Sequence, residues 1–365
     1  MTPAFRNHLD VELSVADRVI VAVDILSRTR PPLGRLAVGK PVEALLAALP
    51  RLFSLCATAH QVALLSAVEA ARGEQAGALT RHRRIKALIS ERLAELLRGL
   101  LLAPAVARSA VPLAQPLLQA VNALQRPTDR DLPFRVATLS QIKTGLEALG
   151  IDLTTEFVLP GTPLAMIMMA AEKVANGEGW RHMPSAHGVL SAADDHAVVT
   201  RLMDDGAAFA EAPDIDGRVP ETGLWARRTA RVTSPQAGPV DRLAAKVAEI
   251  ATLLRWIEAG EAEDESADAD VLASYALGPR RGAAAVECAR GRLHHVVELD
   301  ADGAIQRFEF LAPTEWNFHA RGPVVNSLTG AVLRDDGDRD AIHAMIGAFD
   351  PCVGYRLSVR EMADA

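Results

Sequence analysis

Cys56 and His60 stand four residues apart in Arg51-Leu52-Phe53-Ser54-Leu55-Cys56-Ala57-Thr58-Ala59-His60, at the start of an apolar run. On a helix that spacing sets a thiol and an imidazole on one face. With Ser54 as the capping residue, Cys56 falls in the first turn. There the partial positive charge of the helix favours a thiolate, and His60 can donate a hydrogen bond to the sulfur. The structural alternative for an isolated C-x-x-x-H is a buried thiol beside a buried histidine. The other two cysteines also sit in stretches unlike ordinary packing. Cys288 lies in Glu287-Cys288-Ala289-Arg290-Gly291, and Cys352 follows Asp350-Pro351. A fourth unusual stretch is Ala312-Pro313-Thr314-Glu315-Trp316-Asn317-Phe318-His319.

The elements that must position these residues are mostly helical. Residues 9–26 alternate apolar and polar about a turn at Ala16-Asp17, which predicts a β-hairpin. Pro41–Leu49 forms a helix stopped by Pro50, and a second helix runs from the Cys56/His60 stretch to about Ala71. Residues 80–102 and 108–125 carry leucine and alanine stripes and read as helices. Shorter helices are expected at Ser140–Leu149, ended by Gly150, and Leu164–Asn176, ended by Gly177. Residues 176–231 read as irregular apart from a helix near Asp195–Asp204. Asp241–Ala259 is amphipathic and helical, and 261–270 is an acidic linker or loop. Strands follow at Ala283–Cys288, His294–Leu299 and Ile305–Phe310, the last two joined through Asp300-Ala301-Asp302-Gly303. Asp340–Ala348 returns to helix just before Asp350-Pro351-Cys352.

The 365 residues are 49% hydrophobic but only 4% aromatic, so the core must be built from alanine, leucine and valine, which suits packed helices. A net charge of -7 with dispersed basic residues excludes a nucleic-acid surface. The cluster Arg81-His82-Arg83-Arg84 with Lys86 reads as a solvated helix face. Three cysteines without C-x-x-C spacing or a signal peptide point to a reducing, cytoplasmic setting. No apolar run reaches the roughly 18 residues of a membrane span.

Taken together the unusual stretches resemble the large subunit of nickel-iron hydrogenases. Arg51, Cys56 and His60 match that family's R-x-C-G-x-C-x-x-x-H loop, and Asp350, Pro351 and Cys352 match its D-P-C-x-x-C ending. Glu287-Cys288-Ala289-Arg290-Gly291 is similar to E-A-P-R-G, and Pro313-Thr314 with Trp316-Asn317 to P-[ST]-x-W-N. Glu221-Thr222-Gly223 with Ala226-Arg227 is similar to E-x-G-x-x-A-R. The motifs follow the family's order along the chain. The resemblance implies a single domain over 1–365 of α+β class, mainly α with small β-hairpins, reduced from the large-subunit fold and built on a central helical bundle.

The departures bear on function. The family's bimetallic site takes four thiolates, two from each motif. Here Phe53 stands at the first cysteine position, Ser54 at the glycine, and Tyr355 at the last cysteine position. Aligning His8-Leu9 with the family's R-I-E-G-H-L stretch puts Arg6 at its proton-relay glutamate. Halving the number of soft sulfurs removes the nickel cage. The resemblance leaves Cys56 and Cys352 as metal ligands for an Fe(CN)2CO unit without nickel. His60, Arg290, Pro313 and Thr314 line its pocket, a guanidinium and a hydroxyl being the donors a cyanide nitrogen needs. Cys288 is either a third sulfur near the site or a small core residue. His294 or His295 is a candidate donor behind the ligands, and Trp316-Asn317 a fold-holding element.

This pattern of losses and retentions resembles the HupK/HoxV family, large-subunit paralogues implicated in hydrogenase maturation. That implies a non-catalytic scaffold for the iron unit. Its partners would be a HypC-type chaperone, the HypC–HypD complex and a hydrogenase large subunit. Two alternatives remain open: a metal-free chaperone for hydrogenase subunits, and a divergent iron-only redox enzyme.

Overall fold

The computed structural model describes residues 7–27, 29–30, 32–101, 111–124, 132–175, 188–229, 238–259, 270–333 and 338–362. Arg6 and nearly all of the acidic 261–270 stretch lie outside them.

Leu9, Val11, Leu13 and Val15 alternate inward along β1 (Leu9–Ala16), which pairs with β2 (Val19–Leu26) as the period-two pattern requires. The turn falls at Asp17-Arg18, one residue later than expected, with both residues at positive φ (47° and 65°), as the twist of a two-residue hairpin demands. The hairpin does not stand alone. β9 (Tyr355–Glu361) adds in parallel to β1, giving the order β2-β1-β9 and tying the closing motif to the beginning of the chain.

A short α1 (Leu33–Ala37) leads to α2 (Val42–Leu52), α3 (Ala57–Arg72) and α4 (Ala78–Leu101). Pro50 does not stop α2; it lies within the last turn. A proline there leaves the carbonyl four residues back without its amide, and Gln61 Nε2 donates to that carbonyl, Leu46 O, at 3.3 Å. α5 (Val111–Leu124) packs on α6 (Leu132–Leu149), which begins eight residues before the expected Ser140. A two-residue ribbon, β3 (Ile151–Asp152) with β4 (Phe157–Val158), precedes α7 (Pro163–Ala175). α8 (Asp195–Asp205) is joined by two short helices the sequence did not reveal, α9 (Ala207–Glu211) and α10 (Leu224–Thr229). α11 (Pro239–Ala259) packs against α4, so the bundle expected from the leucine stripes is present. The basic cluster is less free than expected: Arg84 forks onto Glu69 at 2.6 Å and Arg81 donates to Leu272 O at 2.7 Å.

The expected hairpin belongs to a four-stranded antiparallel sheet of β5 (Leu272–Gly278), β6 (Arg281–Cys288), β7 (Gly291–Leu299) and β8 (Ile305–Leu311). β6 and β7 are buried on both faces. α3 lies across them through Ala59, Ala63, Ala67 and Ala71, all buried. The approach is close enough that a Cβ on Gly282 would sit 2.1 Å from Ala67 O. Small residues on both sides explain how a core poor in aromatics reaches close packing. The chain then runs through α12 (Pro313–Asn317), α13 (Pro323–Leu328) and α14 (Asp338–Ala348) to Cys352. Among the described residues no helix is long and apolar enough to cross a membrane.

Because backbone blocks any side chain at Gly282, Gly282→Ala is expected to cost about 3 kcal/mol of stability. Urea unfolding monitored by circular dichroism measures it.

Candidate functional site

Cys56 sits at the junction of α2 and α3, where its N–H closes a turn on Phe53 O at 3.2 Å. It is itself the residue that flanks α3, with no side-chain cap; Ser54 does not cap the helix. The orphan amides of the first turn are taken by α4 instead: Glu91 Oε2 accepts from Thr58 N at 2.6 Å and Oε1 from Ala59 N at 2.9 Å. The helix-end charge expected to favour a Cys56 thiolate is therefore spent on a carboxylate. Burial pushes the Cys56 thiol well above the usual range, and the nearby Cys288, Cys352 and Glu91 push it further against the opposing Arg290. The expected low-pKa thiolate is corrected to a neutral thiol.

Cys352 lies behind α14, reached through Asp350 at φ 51°. The Thr314 hydroxyl donates to Cys352 Sγ at 3.1 Å, so the P-T pair at the start of α12 meets the closing motif. Pro313 is buried at the first helical position, where its lack of an N–H is harmless.

Arg290 occupies the tight turn between β6 and β7, where Cys288 pairs with Gly291. Its Nε donates to Asp350 O at 2.9 Å, and Nη1 and Nη2 face Glu95 Oε2 at 3.4 and 3.3 Å. Burial opposes the charge of Arg290, but Asp350 and the sulfurs of Cys352, Cys56 and Cys288 outweigh it and hold its pKa up. One guanidinium thus lies within electrostatic reach of all three cysteines. From the middle motif it bonds the closing motif directly at Asp350 O.

The E-x-G-x-x-A-R segment holds that turn in place. Arg227 donates to Cys288 O at 3.3 Å and Ala289 O at 3.0 Å, while Glu249 and Glu287 balance its charge. A Cβ on Gly223 (φ +108°) would meet Arg290 O at 2.6 Å. Asn317 Oδ1 accepts from Thr222 N at 3.0 Å and its Nδ2 donates to Thr222 O at 2.9 Å, which makes Asn317 the fold-holding residue expected. Cys288 donates its S–H to Gly291 O at 3.0 Å and closes the turn; burial, then Glu287, pushes its pKa up to about 11.

The other expected residues are placed differently. His60 Nδ1 pairs with His295 Nε2 at 2.9 Å, and its ring stacks on Phe53 with centroids 3.7 Å apart. One of the two ring nitrogens of His60 is thus engaged by another histidine. Burial pushes the pKa of His295 down to about 3, with His294 adding to the shift, so the ring is neutral. His294 turns to Asp195 Oδ1 at 3.0 Å, in a buried cluster with Arg292 and Tyr275. Phe53 fills the first cysteine position with a buried ring, set edge-on to Phe310 at 5.2 Å. The Tyr355 hydroxyl is bound by His343 Nδ1 at 2.8 Å on α14.

Glu91 and Glu95 went unread in the sequence, yet one caps the helix at Cys56 and the other faces Arg290. The available signal was two acids at i, i+4 within a leucine-rich run, a spacing that puts both on one helix face. Among the described residues no three His, Cys, Asp or Glu side chains converge to form an all-protein metal cage.

Over its whole length the chain is 45% identical to the hydrogenase expression/formation protein HupK of Bradyrhizobium diazoefficiens, all of which is covered. The chain belongs to the HupK/HoxV family. It is 33% identical to HupK of Rhizobium leguminosarum bv. viciae, covering 98% of each chain. With HoxV of Cupriavidus necator it shares 31% identity over 91% of this chain and 92% of that one. Residues 182–355 match the model of the nickel-dependent hydrogenases. The HupK/HoxV fold is that of the enzymes' large subunit. The Ni-Fe-Se hydrogenase of D. vulgaris Hildenborough in the reduced state superposes with a TM-score of 0.65 at 15% identity, covering 95% of this chain and 96% of that one. An NAD+-reducing [NiFe]-hydrogenase in the H2-reduced state gives 0.61 at 17%, covering 92% and 93%.

Two outcomes follow for this HupK/HoxV chain. Glu91→Gln removes a negative charge beside Cys56, so the thiol should ionise at lower pH, seen as a downward shift in the pH profile of Cys56 alkylation. The lost charged acceptor should also cost about 1–3 kcal/mol of stability. His295 has a folded-state pKa below its unfolded value. Its contribution is therefore complete above about pH 6.5 and lost as pH falls toward 3, by at most about 1.4 kcal/mol per unit. His295→Gln should flatten the fall in urea-measured stability between pH 6 and 5.

Proposed function

We propose that this chain is a non-catalytic hydrogenase maturation factor that carries an Fe(CN)2CO unit on Cys56 and Cys352 before the unit passes to a hydrogenase large subunit. The observation that carries this reading is the Thr314 hydroxyl on Cys352 Sγ together with Arg290, which is bonded to Asp350 O two residues before that sulfur and lies within electrostatic reach of both Cys56 and Cys352. An iron that arrives with three strong diatomic ligands needs few from the protein, which suits a pocket with no complete cage among the described residues. Each Fe–S bond forms as a labile ligand leaves iron and the thiol proton passes to solvent, with no change in oxidation state. Arg290 keeps N–H donors beyond those spent on Asp350 and Glu95, and with Thr314 it would serve the cyanide nitrogens. Phe53 in the place of a third sulfur, and Tyr355 held by His343, favour iron without nickel. Delivery and withdrawal require a partner that itself binds the unit, the role assigned here to a HypC-type chaperone and the HypC–HypD complex.

A metal-free assembly factor is the second reading. It is favoured by large apolar side chains that stand exposed, Phe157, Met166 and Met169 at 71%, 67% and 59%, since flexible methionines suit binding of protein partners.

Infrared spectra of protein isolated anaerobically from hydrogenase-producing cells separate the two. Metal-bound cyanide and carbonyl bands are expected, lost in both Cys56→Ala and Cys352→Ala. Arg290→Lys should keep the sulfurs but weaken retention of the iron about 10- to 100-fold, read as iron content after gel filtration. Absence of bands from the wild-type protein, with partner binding that survives both cysteine substitutions, overturns the carrier reading in favour of the metal-free one.

A further inference from the structure

β9 is the outer strand of the β2-β1-β9 sheet, and its far edge meets no other strand among the described residues. Two backbone bonds fix which groups lie on that edge. Leu9 N donates to Gly354 O at 3.0 Å and Met362 N to Val15 O at 2.8 Å, at the two ends of a parallel register that runs from Leu9–Tyr355 to Val15–Glu361. In a parallel ladder every second residue turns its N–H and C=O to the neighbour. The even-numbered residues of β9 therefore face β1, and Tyr355, Leu357, Val359 and Glu361 turn theirs outward. An open edge of this length is a template for one more strand.

The side chains of β9 select what that strand can be. Arg356, Ser358 and Arg360 stand exposed on one face. Neither arginine makes an ion pair among the described residues; Asp10, opposite Arg356 on β1, is met by His8 Nε2 at 3.1 Å. On the other face Tyr355 and Leu357 pack against the core of the β1–β2 hairpin, and Val359 beyond them is 46% exposed. The edge thus offers outward backbone groups, two unspent positive charges four residues apart and an uncovered apolar side chain. The charges also exclude a second copy. Two-fold antiparallel pairing of β9 in full overlap sets Arg356 against Arg360 of the other copy, and like charges directly opposite are destabilising.

We propose that the outer edge of β9 is the docking site for an extended acidic segment of a protein partner. The segment adds as a fourth strand, with carboxylates toward Arg356 and Arg360 and apolar side chains toward Leu357 and Val359. β9 begins three residues beyond Cys352, so a partner held there is attached next to the candidate site. Nothing in this docking depends on the cargo, and it stands or falls apart from the iron reading.

The full-length, metal-free protein decides it, with a capped peptide of about eight residues alternating glutamate and valine as probe. In the free protein the amides of Arg356, Ser358, Arg360 and Met362 should exchange slowly with deuterium, and those of Leu357, Val359 and Glu361 quickly, as read by NMR. The peptide should slow the second set about tenfold and leave the first unchanged. Val359→Pro removes an outward N–H but no bond to β1, and should weaken the peptide about tenfold in fluorescence anisotropy. Arg356→Glu combined with Arg360→Glu should weaken it as much, and the protein should then prefer a peptide with lysine in place of glutamate. Slow exchange of Leu357, Val359 and Glu361 in the free protein, no slowing by the peptide, or an affinity unmoved by the charge reversal overturns the docking site. So does a dimer in sedimentation that Val359→Pro dissolves, which would give the edge to a second copy.

Discussion

The site depends on keeping one guanidinium charged where water is scarce. Arg290 is set in a turn too tight to adjust, and it reaches Asp350 O on one side and Glu95 on the other. Removing one partner of a buried charge costs about 3–5 kcal/mol, more than most single contacts contribute. Its partners come from α4 and from the segment after α14, so with its own β6–β7 turn three distant parts of the chain must be in place together.

The surroundings of Arg290 follow the same rule. Arg227 meets Glu249 and Glu287, Arg292 meets Asp195 and Glu287, and Arg242 meets Glu221 while covering the Phe349 ring at 3.9 Å. Each pair satisfies a buried charge and fixes one element against another. Burial pushes Asp195 up, but His294 and Arg292 outweigh it and hold the carboxyl below its ordinary range. Rigid support of this kind positions ligand-binding groups better than loops alone can. The motifs shared with the enzymes serve largely as this support.

The positions where the chain departs from the enzymes are packed rather than left hollow. Phe53 stacks on His60, His60 pairs with His295, and Phe310 closes the group from its edge. A ring occupying a vacated sulfur position restores apolar burial that a cavity would forfeit. A thiol placed at position 53 would leave His60 without its stacking partner. Tyr355 is settled in a comparable way, at the first residue of the strand that binds β1.

Much was legible from local pattern. The apolar alternation of β1, the leucine stripes of α4 and α11 and the spacing of the five motifs each depend on neighbours in sequence, and so did the kinship they carried. What escaped was set by distant partners. β9 is short and mostly exposed, so its alternation is weak until β1 supplies the hydrogen bonds. Pro50 signals a helix end until Gln61 serves the stranded carbonyl, and Ser54 reads as a cap until Glu91 arrives from another helix. The amino-acid sequence by itself determined which chemical groups survive: two sulfurs, one arginine and one threonine in the family's order. Only the tertiary structure decided their state, because the charge on a thiol and the partner of a histidine depend on what burial and remote side chains bring within a few ångströms.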